Sequence, residues 1–110
     1  MTVKELAERL SLTNFTPGVT LDGQVTGGYT CDLLSDVMGH AREGQVWITL
    51  QTHRNVTGIA SLKDLAAIII VKGFEPAADT LATAVEEGIP LLGTDMQAFE
   101  VSGRIYELLK

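Results

Sequence analysis

At 110 residues the chain has the length of one domain and room for a core. Its 45% apolar and 20% charged residues fit a globular protein, and no apolar run approaches the roughly 20 residues that a bilayer crossing needs. The net charge is −6, and from Glu75 to Lys110 seven acids face only Arg104 and Lys110, so the basic stripe with which a duplex binder displaces counterions is absent.

Along the chain, Thr2-Val3-Lys4-Glu5 is a capping box, and the helix that it opens has Val3, Leu6, Ala7 and Leu10 as its apolar stripe. The start is amphipathic with two glutamates, unlike a signal or transit peptide, and reads as a soluble cytoplasmic protein. Polar residues and Pro17-Gly18 end this helix. Loose alternation over Val19–Thr26 predicts one or two short strands broken at Asp22-Gly23, and Gly27-Gly28 predicts a turn. Thr30 or Asp32 then caps a helix that buries Leu33, Leu34, Val37, Met38 and Ala41. Gly44 closes it, Gln45–Gln51 is a strand, and Thr52–Asn55 is the loop that follows.

Val56–Asp64 fits either helix or loop, and a short helix is preferred because two parallel strands need a crossover. Ala66–Val71 is continuously apolar and β-branched, the pattern of a central strand buried on both faces. Pro76 suits the first turn of a helix whose inner face is Ala78, Leu81, Ala82 and Val85. Gly88 ends that helix, Ile89–Leu92 is the last strand, and Thr94-x-x-Gln97 is a second capping box. The closing helix is expected to bury Met96, Phe99, Tyr106 and Leu109, with Gly103 allowing close approach. The reading is α/β: a single domain over residues 1–110, a three-layer α/β/α sandwich around a mainly parallel sheet of four to five strands.

In such a sheet the strand-to-helix loops gather at one edge, where ligands usually bind. Residues Thr26–Thr30, Thr52–Asn55, Lys72–Glu75 and Gly93–Asp95 are the loops expected there. They offer Gly27, Gly28 and Gly73 backbone, the side chains of Thr30, Thr52, His53 and Thr94, and two cations. Arg54 can fork onto a phosphate or carboxylate, and Lys72 adds a point charge. Alternatively the glycines serve turns and the cations sit in solvent. His53 and His40 fall on different parts of the fold, so no metal site within one chain is expected. Cys31 is single, which excludes an internal disulfide or a cysteine-rich cluster. It reads as a small half-buried helix residue, set against a nucleophile supported by His53. The Phe99/Gly103/Tyr106 face raises a symmetric dimer, against ordinary burial on the sheet.

The segments IIIVKGFEP, GIPLLGTDMQAF and GRIYELL resemble the DRTGG domain, and are similar to the N-terminal domain of HPr kinase/phosphorylase with its MurF-like fold. The likeness runs from about Val19 to Leu109. VTGGYTCDLLSDVMGHA and GQVWITLQTHRN look closest to stand-alone DRTGG proteins of the kind associated with iron-only hydrogenases and redox or sensor kinases. The family's Asp-Arg falls on His53-Arg54 and its Thr-Gly-Gly on Val71-Lys72-Gly73, so the aspartate is replaced. No G-x-x-x-x-G-K-[ST] loop occurs, so kinase activity does not carry over. The resemblance implies a non-catalytic regulatory module that binds a small anionic ligand, phosphate- or nucleotide-like, and signals through a homodimer or partner. No cofactor follows from it. The alternative is a protein-interaction or scaffold subunit of a redox system, with no small ligand.

Overall fold

A computed structural model describes residues 1–110 and shows helix and strand alternating from end to end. The elements are α1 (Val3–Leu10), β1 (Thr13–Asn14), β2 (Gly27–Thr30), α2 (Leu34–His40), β3 (Gln45–Thr49), α3 (Asn55–Leu62), β4 (Ala67–Ile70), α4 (Ala78–Glu87), β5 (Leu91–Gly93) and α5 (Ala98–Leu109). The sheet order is β1-β5-β4-β3-β2, with β1 antiparallel to β5 and every other pair parallel. This is the α/β sandwich with a mostly parallel sheet that the sequence implies. No helix is long and apolar enough to cross a membrane.

Each crossover from β2 to β5 steps one strand sideways in the same direction. With right-handed connections this lays α2, α3 and α4 on one face. The pleat then sorts the core. Trp47, Ile68, Ile70 and Leu91 pack with Val37, Val56, Ala60 and Ala84 of those helices. On the other face Val46, Ile48, Ile69 and Leu92 meet Val3 and Leu6 of α1 and Val101 and Ile105 of α5. All four residues of β4 are buried because it lies between two strands and two helix layers.

Several local expectations are corrected. Val19–Thr26 forms no strand beyond an isolated bridge between Thr2 and Gln24. Its carbonyls satisfy the start of α1 instead: Val3 N–H donates to Gly23 O at 2.9 Å and Lys4 N–H to Leu21 O at 3.0 Å. Gly27-Gly28 is not a turn but the start of edge strand β2, with Gly27 opposite Gln45 at the beginning of β3. β1 was not expected, since two residues carry no periodicity. Phe15 beside it needs Gly93, where a Cβ would lie 2.5 Å from the ring.

The buried faces of three helices are also rotated. On α5, Val101 and Ile105 are buried, whereas Phe99 is 91% and Tyr106 70% exposed. On α4, Thr80 and Ala84 face the core while Ala78, Ala82 and Val85 are exposed. On α2, Val37 is buried, Leu34 is half-buried, and Leu33 and Met38 stand exposed. Short helices with apolar residues all round carry a weak stripe, and the docking angle on the sheet selects the face.

Candidate functional site: the C-terminal edge of the sheet

Four connections leave the carboxyl ends of the parallel strands. Those after β2, β3 and β4 turn to the α2–α4 face, and the one after β5 turns to the opposite face to start α5. The connections therefore diverge between β4 and β5, the position at which an open α/β sheet forms its ligand crevice. A cleft of about 460 Å³ lies there. Gly73, Phe74 and Glu75 form one wall, Thr94, Asp95 and Met96 the other, and Ser11, Thr13 and Phe15 close the front. Glu100 and Arg104 reach it from α5.

The two walls are tied together. Lys72 N–H donates to Met96 O and Gly73 N–H to Thr94 O, each at 2.9 Å, and Thr94 N–H returns to Ile70 O at 3.0 Å. Making these bonds takes two successive left-handed residues, Lys72 at φ 62° and Gly73 at φ 72°. A glycine pays nothing for this, but a lysine is strained there. A Cβ at residue 73 would sit 3.0 Å from Asp95 Oδ1, so a side chain there would press on that exposed carboxylate. Both amides are spent inside the protein. What Gly73 offers a ligand is close approach, not a free donor.

Charge at this edge is divided. Arg54 and Lys72 are exposed and join none of the ion pairs, which are Asp36–His40, Glu100–Arg104 and Glu107–Lys110. Inside the cleft, Glu75, Asp95 and Glu100 outnumber Arg104, which Glu100 already holds at 3.1 Å. The helix starts add positive potential. α1 carries a complete capping box, whereas α2, α4 and α5 open at this edge with no side-chain cap; at α3 the first three N–H groups are taken by His53 Nδ1, His53 O and Arg54 O. Uncapped first turns leave N–H groups for solvent or an anion. Two expected caps work elsewhere: Asp32 Oδ1 accepts from Thr49 Oγ1 at 2.7 Å and Leu50 N–H at 2.8 Å, and Thr94 Oγ1 accepts from Met96 N–H at 3.1 Å.

The residues singled out in the sequence are distributed over this geometry. Gly73 and Thr94 line the β4/β5 cleft. Thr52, His53, Arg54 and Lys72 sit on connections along the same edge: Thr52 O accepts from Ala77 N–H and from Thr80 Oγ1 at the start of α4. His53 Nδ1 accepts from Asn55 N–H, and Arg54 borders a groove with Leu34 and Met38. Gly27, Gly28 and Thr30 are not part of that group. They line a second groove, about 560 Å³, between edge strand β2 and α5, where the Thr30 and Ser102 hydroxyls are 2.7 Å apart.

Cys31 belongs to a cluster beside α2. Asp36 accepts from Tyr29 OH and from the Cys31 thiol, at 3.4 Å for the latter, and His40 Nδ1 lies 3.3 Å from its other oxygen. The Tyr29 bond, then that of Cys31, holds the Asp36 carboxyl below its ordinary value. The same bond to Asp36 pushes the Tyr29 phenol up to about 12. The thiol's side-chain partner is thus Asp36, and His53 is engaged with Asn55.

Ser11, Phe15, Glu100 and Arg104 are cleft residues that sequence reasoning passed over, and Asp95 entered it only as the end of the Gly93–Asp95 loop. The antiparallel pairing of β1 with β5 brings the first two into place, and a two-residue strand leaves no periodic trace. Asp95 was legible as an acid beside Thr94, next to a glycine ending an apolar run.

No family model matches the chain, and no curated protein matches it. Among solved structures it is similar to a crystal structure of the CBS and DRTGG domains of the regulatory region of Clostridium perfringens pyrophosphatase, complexed with an activator, diadenosine tetraphosphate. The TM-score is 0.67 at 11% identity, and the match covers 94% of this chain but 45% of that one. This chain thus spans less than half the length of that neighbour. The likeness is one of fold, and it supports a DRTGG-like architecture.

Proposed function

We propose that this domain is a non-catalytic regulatory module that takes a small anionic ligand, phosphate- or nucleotide-like, at the C-terminal edge of its sheet, and signals through a second copy or a partner. One observation carries the reading: α2, α4 and α5 open at this edge with no side-chain cap, beside Arg54 and Lys72, which join no ion pair. Helix dipoles and two cations favour an anion at the rim. The acids lining the β4/β5 cleft favour the hydroxyl- or amine-bearing part of the same molecule. That the fold neighbour is a regulatory region complexed with a nucleotide activator supports the same class of ligand. A non-catalytic role accords with Cys31 and His53 belonging to separate hydrogen-bonded groups.

The test is a thermal-shift screen of the domain against inorganic phosphate, mono- and dinucleotides and carboxylates. A ligand at 100 times its Kd stabilises by about 2.7 kcal/mol, which raises Tm by roughly 10 °C in a domain of this size. The expected result is a shift that disappears in Arg54→Ala/Lys72→Ala while the unliganded Tm holds. A shift that survives the double variant removes these cations from the site, and a flat screen overturns the ligand reading.

A flat screen would favour the second reading, a scaffold subunit in a redox assembly of the iron-only hydrogenase kind. The exposure of Phe99 and Tyr106 favours that reading. It predicts a captured partner protein that charge reversal of Glu86 and Glu87 releases.

A further inference from the structure

We propose that the β4/β5 cleft is the subsite for a purine base bearing an exocyclic amine, so that the base rather than the phosphate selects the ligand. The inference rests on the anionic-ligand reading above, and names which part of a nucleotide enters the cleft. Two aromatic residues from distant parts of the chain line it. Phe74, on the connection after β4, stands 45% exposed in one wall. Phe15, beside β1, closes the front, its ring lying so near Gly93 that a Cβ there would be 2.5 Å away. Their rings offer a planar base a surface on which to stack, and a purine covers more of it than a pyrimidine does. The volume of about 460 Å³ is that of an ordinary small-molecule site.

The polar lining decides which base. Glu75 and Asp95 stand on opposite walls, both exposed, and neither joins an ion pair. Asp95 Oδ1 is directed at the other wall, 3.0 Å from where a Cβ on Gly73 would stand. Ionised carboxylates only accept hydrogen bonds, and the exocyclic amine of adenine or guanine donates them. Hypoxanthine, a purine without that amine, leaves the carboxylates short of this partner. The same acids keep phosphate out, because Arg104, the one cation in the lining, is held by Glu100 at 3.1 Å. The phosphates therefore point outwards to Lys72 and Arg54 at the rim. Lys72 directly precedes Gly73, so a rim cation adjoins the wall that carries Phe74.

Isothermal titration calorimetry of the full chain in metal-free buffer, with ATP, GTP, inosine triphosphate and inorganic tripolyphosphate, tests this. The better of ATP and GTP should bind about tenfold tighter than either inosine triphosphate or tripolyphosphate. Phe74→Ala should weaken that nucleotide about tenfold and leave both tripolyphosphate binding and the unliganded Tm unchanged, since the ring is half-exposed. Glu75→Gln/Asp95→Asn, at two exposed carboxylates, should bring the preferred nucleotide down to the level of inosine triphosphate. Equal affinity for all four probes overturns the base subsite, as does a preference that neither variant alters, and both results leave the anionic-ligand reading standing. Failure of all four to bind overturns the two together.

Discussion

At the scale of single residues, the Tyr29–Asp36 pair gives a pH-dependence of known sign. The Asp36 carboxyl is held below its ordinary 3.8, so its contribution is present above that pH and lost as pH falls through the lowered value. The Tyr29 phenol is raised from 10.0 to about 12, so its contribution is complete below pH 10 and lost as pH rises through 12. Urea titrations of wild type and Tyr29→Phe should therefore show a constant stability gap across neutral pH that closes at both extremes. A gap unchanged up to pH 12 would remove the bond. Lys72 gives a second case: at φ 62° it holds a conformation that suits glycine. Lys72→Gly should stabilise the fold by about 0.5–1 kcal/mol, because relief of left-handed strain outweighs the added chain entropy. A loss of stability would mean that its side chain holds the loop in a way the hydrogen bonds do not show. Gly93→Ala should go the other way, by about 1–3 kcal/mol, since its methyl would meet the Phe15 ring at 2.5 Å. Differential scanning calorimetry would register both.

Elements show which local signals survive folding. The capping box of α1 forms as its four residues imply: Glu5 N–H donates to Thr2 Oγ1 at 3.1 Å, and Thr2 N–H to Glu5 Oε1 at 3.0 Å. Thr2→Ala should cost about 1 kcal/mol, read by chemical denaturation, and a neutral result would mean that the Gln24 bridge alone secures the helix start. Capping signals nearer the sheet edge failed, because Asp32 and Thr94 found stronger local partners in the connections themselves. β4 was legible because burial on both faces demands an unbroken apolar run. Ile69→Ala there should cost about 2–5 kcal/mol, with the spread set by how far its fully packed surroundings collapse. The faces of α2, α4 and α5 were not legible. Apolar residues such as Phe99 and Val85 are shared between a sheet-facing stripe and the outer surface, and periodicity alone does not choose between them.

For the whole molecule, topology places the functional edge. Consecutive strand order sends three helices to one face and only α5, with α1, to the other, so a single divergence arises, between β4 and β5. Of the candidate site, Gly73 and Thr94 could be placed at that divergence from the sequence, since each follows an apolar run that had to be a buried strand. Gly27, Gly28 and Thr30 could not be separated from them, because a glycine pair reads equally as a turn or as an open edge strand. The sequence alone determined the α/β class, the buried central strand and the absence of a basic stripe, since periodicity, β-branching and charge are local or summed properties of the chain. Tertiary structure alone decided which helix faces were buried, that Phe15 covers Gly93, and that the conspicuous residues divide between two grooves. Those outcomes depend on how distant segments dock, and docking is settled by shape and hydrogen-bond partners that no short window of sequence contains.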